Sequence, residues 1–200
     1  MFGPVRGRWN HNVHYHDILL SAVPERCEEA LDVGCGDGMF ARRLAARAGN
    51  VTAVDVSERM IELAQEECAG VPNVRFVQGD FLGLPLADGG FDYVSSLAAV
   101  HHMDFGLAIG KMGRMLRPGG VLAVLGLARD RSPHDLLTSA LAVPANRVLR
   151  LRHGWYEPGF PAKDPTMSYR EVLSAAGSLL PGASFRRLLL FRYLLVWRKV

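Results

Sequence analysis

Three glycines at two-residue spacing, Gly34, Gly36 and Gly38, follow directly on a run of apolar residues. Glycine lacks a Cβ and tolerates positive φ, so a ligand can lie against the backbone of such a turn. Leu31 and Val33 precede the turn, and residues 39–48 follow it with apolar side chains at helical spacing. The pattern predicts a strand, a glycine turn and a helix that together cradle a nucleotide.

Carboxylates stand where the next predicted strands end. Residues 50–54 form a short second strand followed by Asp55, at about the 20-residue distance at which an acidic side chain meets ribose hydroxyls. A third strand over residues 74–77 leads to Asp80, and a fourth strand spans residues 91–97. Ligands of open α/β sheets bind beyond the carboxyl ends of the strands, so we expect Asp55 and Asp80 to face one pocket with the glycine turn.

The glycine spacing distinguishes two kinds of nucleotide cofactor. Nicotinamide-dependent oxidoreductases of this fold carry GxGxxG, in which the third glycine lets the helix pack closely on the strand. This chain has GxGxG instead, and an Arg-Pro-Gly-Gly turn at residues 117–120 leads into a fifth strand at 119–126. The pattern therefore disfavours a nicotinamide dinucleotide.

Four segments of the chain resemble one family in particular. They are LDVGCGDG at 31–38, AVDVSERMIELAQ at 53–65, VRFVQGDFLGLPLADGGFDYVSSLAAVHHM at 74–103 and MLRPGGVLAVLGL at 115–127. Together they are similar to class I S-adenosylmethionine-dependent methyltransferases, and among these to the small-molecule group of ubiquinone and menaquinone biosynthesis. The resemblance implies S-adenosylmethionine as the cofactor and S-adenosylhomocysteine as its product.

The resemblance also implies which residues hold the methionine and ribose parts of the cofactor. The backbone of Gly34, Cys35 and Gly36 would face the methionine part, and the Asp55 carboxylate would accept hydrogen bonds from the ribose. We add Asp32, which lies in the first of the four segments, to the expected cofactor site.

The adenine is expected to contact residues farther along the chain. By the resemblance, Val56 and Met60 would flank the ring, and Asp80 with Phe81 would meet its edge. A methionine offers a polarizable face to a flat ring, and a carboxylate accepts from an exocyclic amine. Leu97, at the end of the fourth strand, completes the expected cofactor site.

Two adjacent histidines follow the fourth strand and are the candidates for catalysis. The sulfonium of S-adenosylmethionine already makes the methyl group electrophilic, so the protein mainly has to align a nucleophile with the S–CH₃ bond. An alcohol, phenol or ammonium must still lose a proton, which a histidine near its normal pKa can accept. We expect His101 or His102 to act as a base or to position the substrate; alternatively, the pair only shapes the loop.

A second group of histidines, with the pattern HxxHxH, lies at residues 11–16. Such spacing can bind a metal, but no cysteine or carboxylate pattern accompanies it, so the sequence does not favour a metal site. We expect instead that Tyr15 or His16, on a helix over residues 15–23, reaches the methionine carboxylate or the substrate. An ordinary helix surface is the alternative.

Proline-punctuated residues 128–166 interrupt the alternation of strands and helices. We expect two short helices there, at 135–142 and 146–152, in a lid insertion that forms the substrate wall, because it follows strand five at the edge that carries the glycine turn. Arginine forks and aromatic rings could bind an aromatic acid or a phosphorylated or carrier-linked substrate, although each arginine could equally face water. The candidates are His134, Arg147, Arg150, Arg152, His153, Trp155, Tyr156 and Phe160.

The C-terminal residues complete the sheet. A capping box at Ser168 and Glu171 predicts a helix over residues 168–176, and strands follow at 183–190 and 192–199. The resemblance implies an α/β fold, a Rossmann-like doubly wound sheet of seven strands with an antiparallel last strand and helices on both faces. We expect a single domain, made of an N-terminal cap (1–28), a cofactor-binding core (29–127), the lid insertion (128–166) and a C-terminal helix and hairpin (167–200).

Composition limits the functions open to the chain. Its 200 residues are 49% hydrophobic, enough for one α/β domain, and its net charge of +3 comes from a basic side that is almost wholly arginine. We interpret these arginines as solvated surface and expect neither nucleic acid nor a membrane as a partner. The N-terminus lacks a leader pattern and the three cysteines lack paired spacing, so we expect a cytoplasmic protein with free thiols. The oligomeric state stays open.

These observations predict an S-adenosylmethionine-dependent methyltransferase for a small-molecule acceptor, with O-methylation favoured over N- or C-methylation. One alternative is RNA or protein methylation, although the chain has neither a basic extension nor an Asn-Pro-Pro-Tyr motif after the fourth strand. The other is a non-catalytic protein that binds the cofactor, since no residue in the sequence is an unmistakable base.

Overall fold

The fold is built on one sheet of seven strands, seen in a computed structural model that describes residues 8–157, 159 and 163–200. The strands are β1 (Glu29–Val33), β2 (Asn50–Asp55), β3 (Val74–Gln78), β4 (Phe91–Leu97), β5 (Leu116–Gly126), β6 (Ser184–Leu188) and β7 (Arg192–Arg198). Their order is β3-β2-β1-β4-β5-β7-β6. β1 to β5 are parallel, whereas β7 runs antiparallel to both β5 and β6.

Helices follow most of the strands and cover both faces of the sheet. They are α1 (His11–His14), α2 (His16–Leu20), α3 (Met39–Leu44), α4 (Glu58–Glu67), α5 (Phe105–Met115), α6 (Pro133–His153) and α7 (Tyr169–Leu179), with a 3-10 turn at Val100–His102. The expected Rossmann-like α/β fold with an antiparallel last strand is confirmed.

Two apolar cores lie on opposite faces of the sheet, because successive side chains of a strand point in opposite directions. Leu31 and Val33 of β1 pack in the core that contains α5 and α7. Ala30 of the same strand packs in the other core, with α2 and α3. The central strands are buried on both sides, so the ligand is confined to the sheet edges and the loops.

Two helices and one strand have boundaries that differ from the sequence prediction. The helix expected over 15–23 is two short helices that meet at Tyr15, because the Asn10 side chain caps an earlier start and accepts from the backbone of Asn12 and Val13, each at 2.9 Å. α3 ends at Leu44 rather than at residue 48. β5 begins at Leu116, three residues before the expected start.

The prediction of two short helices in the insertion is wrong, because α6 is continuous through Pro144. A capping box between Ser132 and Asp135 starts the helix, and alanine and leucine, both good helix formers, surround the proline. The loss of one backbone hydrogen bond at Pro144 is therefore tolerated. Arg187 of β6 fixes the start of α6 to the sheet through an ion pair with Asp135 and a 2.8 Å contact with Asp130.

The C-terminal part agrees with the sequence prediction. Ser168 and Glu171 form the expected capping box, and β6 and β7 pair as a hairpin. Because β7 is antiparallel to β5, its first residue lies at the carboxyl edge of the parallel strands, where Tyr193 pairs with Gly126. Within the described residues, no helix is long and apolar enough to cross a membrane.

Candidate active site

The glycine turn after β1 adopts the backbone conformation that its residue types predict. Gly34, Gly36 and Gly38 all have positive φ, at 73°, 54° and 78°. A Cβ on Gly34 would lie 2.1 Å from the Cβ of Ala99, so no larger residue fits there. The turn is therefore fixed both by backbone conformation and by the close approach of the loop after β4.

Asp55, at the end of β2, holds this turn in place. Its Oδ2 accepts a hydrogen bond from the Gly36 backbone N–H at 2.9 Å, and its Oδ1 accepts from the Ser57 N–H at 2.9 Å. Each carboxylate oxygen keeps a lone pair with which it can accept from another donor. Asp55 can thus orient the glycine turn and still bind vicinal hydroxyls.

Asp32 lies in β1 directly beneath the turn and is almost wholly buried. The Ser95 hydroxyl donates to its Oδ1 at 2.9 Å, whereas its buried Oδ2 has no partner among the described residues. Burial raises the pKa of Asp32 to about 7, the Asp55 charge raises it further, and the Ser95 hydrogen bond opposes the shift. A cationic ligand group at Oδ2 would restore the ionised form.

One cavity of about 790 Å³ opens at this edge of the sheet. It brings together nearly all of the residues proposed for the site from the sequence. Its lining includes Asp32, Gly34, Cys35, Gly36, Asp55, Val56, Met60, Asp80, Phe81, Leu97, His16, His101 and His102.

The part of the cavity beyond β2 and β3 is lined by apolar side chains together with Ser57 and Asp80. Val56 is exposed at 67% of its surface, whereas Met60 and Phe81 are buried. Lys111 of α5 donates to the carbonyl oxygens of Phe81 and Leu84, each at 2.7 Å, and so fixes the loop after β3. These side chains can enclose an aromatic ring.

The N-terminal helices contribute His16 to the cavity but not Tyr15. His16 is buried against Phe40, its Nδ1 has no partner among the described residues, and burial lowers its pKa to about 3. The Tyr15 hydroxyl instead accepts a 3.1 Å hydrogen bond from the Leu190 N–H, so the structure does not bring Tyr15 to the cofactor. The reason is the break between α1 and α2, which turns Tyr15 toward the hairpin.

The other two N-terminal histidines, His11 and His14, both meet the Trp9 ring edge-on. His11 Nε2 lies 2.9 Å from Asn146 Oδ1. Across the described part of the chain, no group of three or more histidine, cysteine or acidic side chains is arranged to hold a metal ion.

Contacts that the sequence did not suggest close the chain over the glycine turn. The Tyr156 hydroxyl donates to Asp37 Oδ2 at 2.8 Å, and Arg8 lies 3.3 Å from the same oxygen. The Tyr156 N–H donates to the Trp9 carbonyl oxygen at 2.8 Å. Asp37 is the acidic residue between the second and third glycines. This position in the sequence is the signal that could have pointed to a role for Asp37 at the turn.

His101 and His102 line the far side of the cavity, with ring centroids 4.1 Å apart. Burial, together with the neighbouring His102 and Arg192, lowers the pKa of His101 to about 4. Burial and Lys163 lower the pKa of His102, and Asp55 opposes this shift. Both rings are therefore neutral near pH 7 and are weaker bases than an ordinary histidine.

Arg192 also lines the cavity, although it lies in a run that the sequence predicts as a core strand. It is 9% exposed. Its Nε donates to Asn12 Oδ1 at 3.0 Å and its Nη1 to the Phe191 carbonyl oxygen at 3.3 Å.

Most of the substrate-wall candidates in the insertion do not reach the cavity. His134, Arg147, Arg150, Arg152 and His153 are exposed. Trp155, 36% exposed, lies beneath the Arg150 guanidinium at 4.3 Å. Phe160 is outside the described residues. Tyr156 alone of the described candidates is tied to the glycine turn, through Asp37.

The polar groups that line the cavity suit S-adenosylmethionine. His16 and Asp32, which both line the cavity, each have a buried polar atom without a partner among the described residues. The carboxylates of Asp32 and Asp55 complement an ammonium, a sulfonium and ribose hydroxyls. Gly34 and Gly36, which both have positive φ, line the same cavity.

Relatives found by sequence are named as methyltransferases. A methyltransferase domain family matches residues 31–124. An uncharacterized methyltransferase of Mycobacterium tuberculosis is 41% identical over 195 residues, which is 95% of this chain and 96% of that protein. The demethylmenaquinone methyltransferase of Staphylococcus aureus is 37% identical over 127 residues, which is 62% of this chain and 53% of that protein.

Solved structures share the fold. The PH0226 protein of Pyrococcus horikoshii superposes with a TM-score of 0.69 at 22% sequence identity. The superposition covers 93% of this chain and 88% of the PH0226 chain. An S-adenosylmethionine-dependent methyltransferase of Aquifex aeolicus gives a TM-score of 0.64 at 18% identity, covering 92% and 89%. With its glycine turn, its carboxylates and its near full-length relative, the chain belongs to the class I S-adenosylmethionine-dependent methyltransferases.

Proposed function

We propose that this chain transfers the methyl group of S-adenosylmethionine to an oxygen atom of a small-molecule acceptor. The observation that carries the proposal is the continuity of one cavity from the glycine turn and Asp55 to His101, His102 and Arg192. A cavity of about 790 Å³ has room for a cofactor and a small acceptor side by side.

The residues at one end of the cavity would bind the cofactor. Asp55 would accept from the ribose hydroxyls, Asp32 and His16 would meet the amino-acid group, and Val56 and Met60 would enclose the adenine. Asp80, exposed at the rim, remains available to accept from the adenine amine. When bound, the cofactor supplies an electrophilic methyl group, so these residues have to orient it and exclude water.

The residues at the other end would position the acceptor. His101 and His102 are neutral at physiological pH, so each imidazole can donate one hydrogen bond and accept another. An acceptor that carries a proton would pass it to one of these rings. The cations Arg192 and Lys163 at this end disfavour an ammonium acceptor, which supports transfer to oxygen over transfer to nitrogen.

We also propose that the segment after α6 is a lid over the cofactor. Tyr156 contacts both Asp37 at the glycine turn and Trp9 in the N-terminal segment, so it bridges two parts of the chain that flank the cavity. The segment is thus suited to close after binding.

Release of S-adenosylhomocysteine tests the proposed function. The purified protein is incubated with S-adenosylmethionine and with carboxylic acids, phenols, alcohols and amines, alongside total RNA and a protein extract. We expect release with oxygen acceptors and methylated oxygen in the product. Methylation of RNA or protein alone, or of amines alone, would contradict the proposal.

A pair of matched variants ties activity to the site. Asp55→Asn should raise the Kd for S-adenosylhomocysteine at least about tenfold through the loss of charge-assisted hydrogen bonds. Asp88→Asn alters an exposed carboxylate whose contact is a 3.7 Å ion pair with Arg114, and it should change neither affinity nor turnover. Equal affinities in both variants would refute the ribose assignment.

A further inference from the structure

Arg192 is a buried cation at the acceptor end of the cavity. It is the first residue of β7, and the antiparallel direction of this strand brings it to the edge where the parallel strands end. Its side chain is held by Asn12 and by the Phe191 carbonyl oxygen, both uncharged acceptors. The guanidinium is therefore fixed in direction and is not neutralised by these contacts.

No carboxylate in the described part of the chain forms an ion pair with this charge. Over residues 8–157, 159 and 163–200, no ion pair to Arg192 is present, although other buried arginines such as Arg187 have acidic partners. Burial lowers the pKa of Arg192 to about 10, which still leaves the guanidinium charged at pH 7. A buried cation without a counter-ion is costly, so an anionic ligand would be strongly favoured there.

Besides Asp32, Asp37, Asp55 and Asp80, three acidic side chains line the cavity, and all three are exposed. Asp104 accepts from the Leu107 N–H at 2.8 Å and Glu157 accepts from Trp155 Nε1 at 2.9 Å, while Asp164 lies at the rim. Solvent screens these charges, whereas Arg192 is shielded from solvent. The buried charge nearest the acceptor end is therefore positive.

An apolar cavity of about 420 Å³ adjoins this end. It shares His101, Met103, Asp104, Leu127 and Pro165 with the main cavity. The rest of its wall is largely apolar and includes Val100, Phe105, Met167, Val172, Ala175 and Tyr193. A ligand that reaches Arg192 with a charged group can thus place an apolar tail here.

We propose that the acceptor is an organic carboxylate with an apolar tail, whose carboxylate is held by Arg192 and whose tail enters the adjoining apolar cavity. This inference rests on the proposed function and names its substrate class. Arginine matches a carboxylate through parallel N–H donors and can leave one carboxylate oxygen facing the methyl group.

The chemistry of this step needs no base. A carboxylate oxygen forms a bond to the methyl carbon while the S–CH₃ bond breaks, and the bonding electron pair stays on sulfur. The products are a methyl ester and neutral S-adenosylhomocysteine, and no proton is released. This agrees with a site whose histidines are weak bases, and the reaction removes one positive and one negative charge together.

The test uses acids paired with their uncharged amides. Butanoate, hexanoate, octanoate and benzoate, with the corresponding primary amides, are supplied to the wild-type protein with S-adenosylmethionine, and methyl esters are measured by gas chromatography. Binding of the same probes to the protein saturated with S-adenosylhomocysteine is measured by calorimetry. We expect the acids to bind and react, the amides to do neither, and each added CH₂ to improve affinity by about fourfold.

Three variants assign the effect to Arg192. Arg192→Gln should raise both KM and Kd for the acids at least about tenfold, with affinity for S-adenosylhomocysteine unchanged. Arg192→Lys keeps the charge without the fork and should be intermediate, which preserves the test if the glutamine variant fails to fold. Arg186→Gln, an exposed residue on the neighbouring strand β6, should behave as wild type.

The inference is overturned if the amides bind and react as well as the acids, or if Arg192→Gln leaves the acids unaffected. It is equally overturned if the acids neither bind nor react. In each case, methylation of an alcohol or phenol would leave the proposed function standing. Absence of methyl transfer to any oxygen acceptor, despite cofactor binding, would refute the proposed function itself.

Discussion

Replacing Asp32 by asparagine should stabilise the cofactor-free protein, and by an amount that depends on pH. Asp32 is buried beneath the glycine turn, with its Oδ2 lacking a partner among the described residues. Burial raises its pKa from 3.8 to about 7. Asparagine keeps the shape and can still accept from Ser95, but it cannot ionise.

The size of the effect follows from proton linkage. Between pH 3.8 and about 7 the folded protein keeps a proton on Asp32 that the unfolded chain has released. The free energy of unfolding therefore falls as pH rises through this window, by about 1.4 kcal/mol per pH unit and about 4 kcal/mol in all. Because Asp32 is buried, solvent does not screen its charge and the full linkage energy applies. Between about pH 5.5 and 7 the free energy of unfolding falls by about 2 kcal/mol.

Urea unfolding of the cofactor-free wild type and Asp32→Asn at about pH 5.5, 7 and 8 measures this difference. The stability advantage of the variant should grow by about 2 kcal/mol between pH 5.5 and 7 and then level off. An advantage that stays constant across the three pH values would refute the elevated pKa. So would an advantage that grows mainly above pH 8.

Three further predictions concern other parts of the site. Gly34→Ala should abolish measurable cofactor binding in calorimetry and lower thermal stability, because the alanine Cβ would lie 2.1 Å from the Cβ of Ala99. A near wild-type affinity would contradict this prediction. His102→Ala should lower kcat about tenfold by removing a positioning contact at the acceptor end, with affinity for S-adenosylhomocysteine little changed; wild-type turnover would return the residue to a structural role. Tyr156→Phe removes the 2.8 Å hydrogen bond to Asp37, which contributes about 1 kcal/mol to the closed conformation. Cofactor dissociation in stopped-flow measurements should therefore be faster than in the wild type, and an unchanged rate would exclude the proposed lid.

Local sequence patterns predicted the glycine turn and the position of Asp55 beside it. The glycine turn and Asp55 depend on residue types and short spacings, and the structure places both as expected. The seven-stranded sheet follows from the alternation of strands and helices and from the family resemblance. The physical reason is that a parallel sheet brings successive strand ends to one edge, so positions along the chain translate directly into positions in space.

Arg192 and the contact between Asp37 and Tyr156 could not be predicted in this way. Arg192 interrupts an apolar run and gives no local signal; only the antiparallel pairing of β7 with β5 brings it to the cavity. The contact between Asp37 and Tyr156 joins residues 119 positions apart, which no short spacing can reveal. Pro144 misled the helix prediction, because proline weakens a helix without always ending it.

A crystal structure of the protein with S-adenosylhomocysteine is the most direct test of the central claim, that one cavity joins a cofactor site to an acceptor site. We predict ribose hydroxyls within hydrogen-bond distance of the Asp55 carboxylate, the adenine between Val56 and Met60, and the sulfur directed toward His101 and Arg192. A cofactor whose sulfur points away from Arg192, or whose ribose does not contact Asp55, would contradict the account.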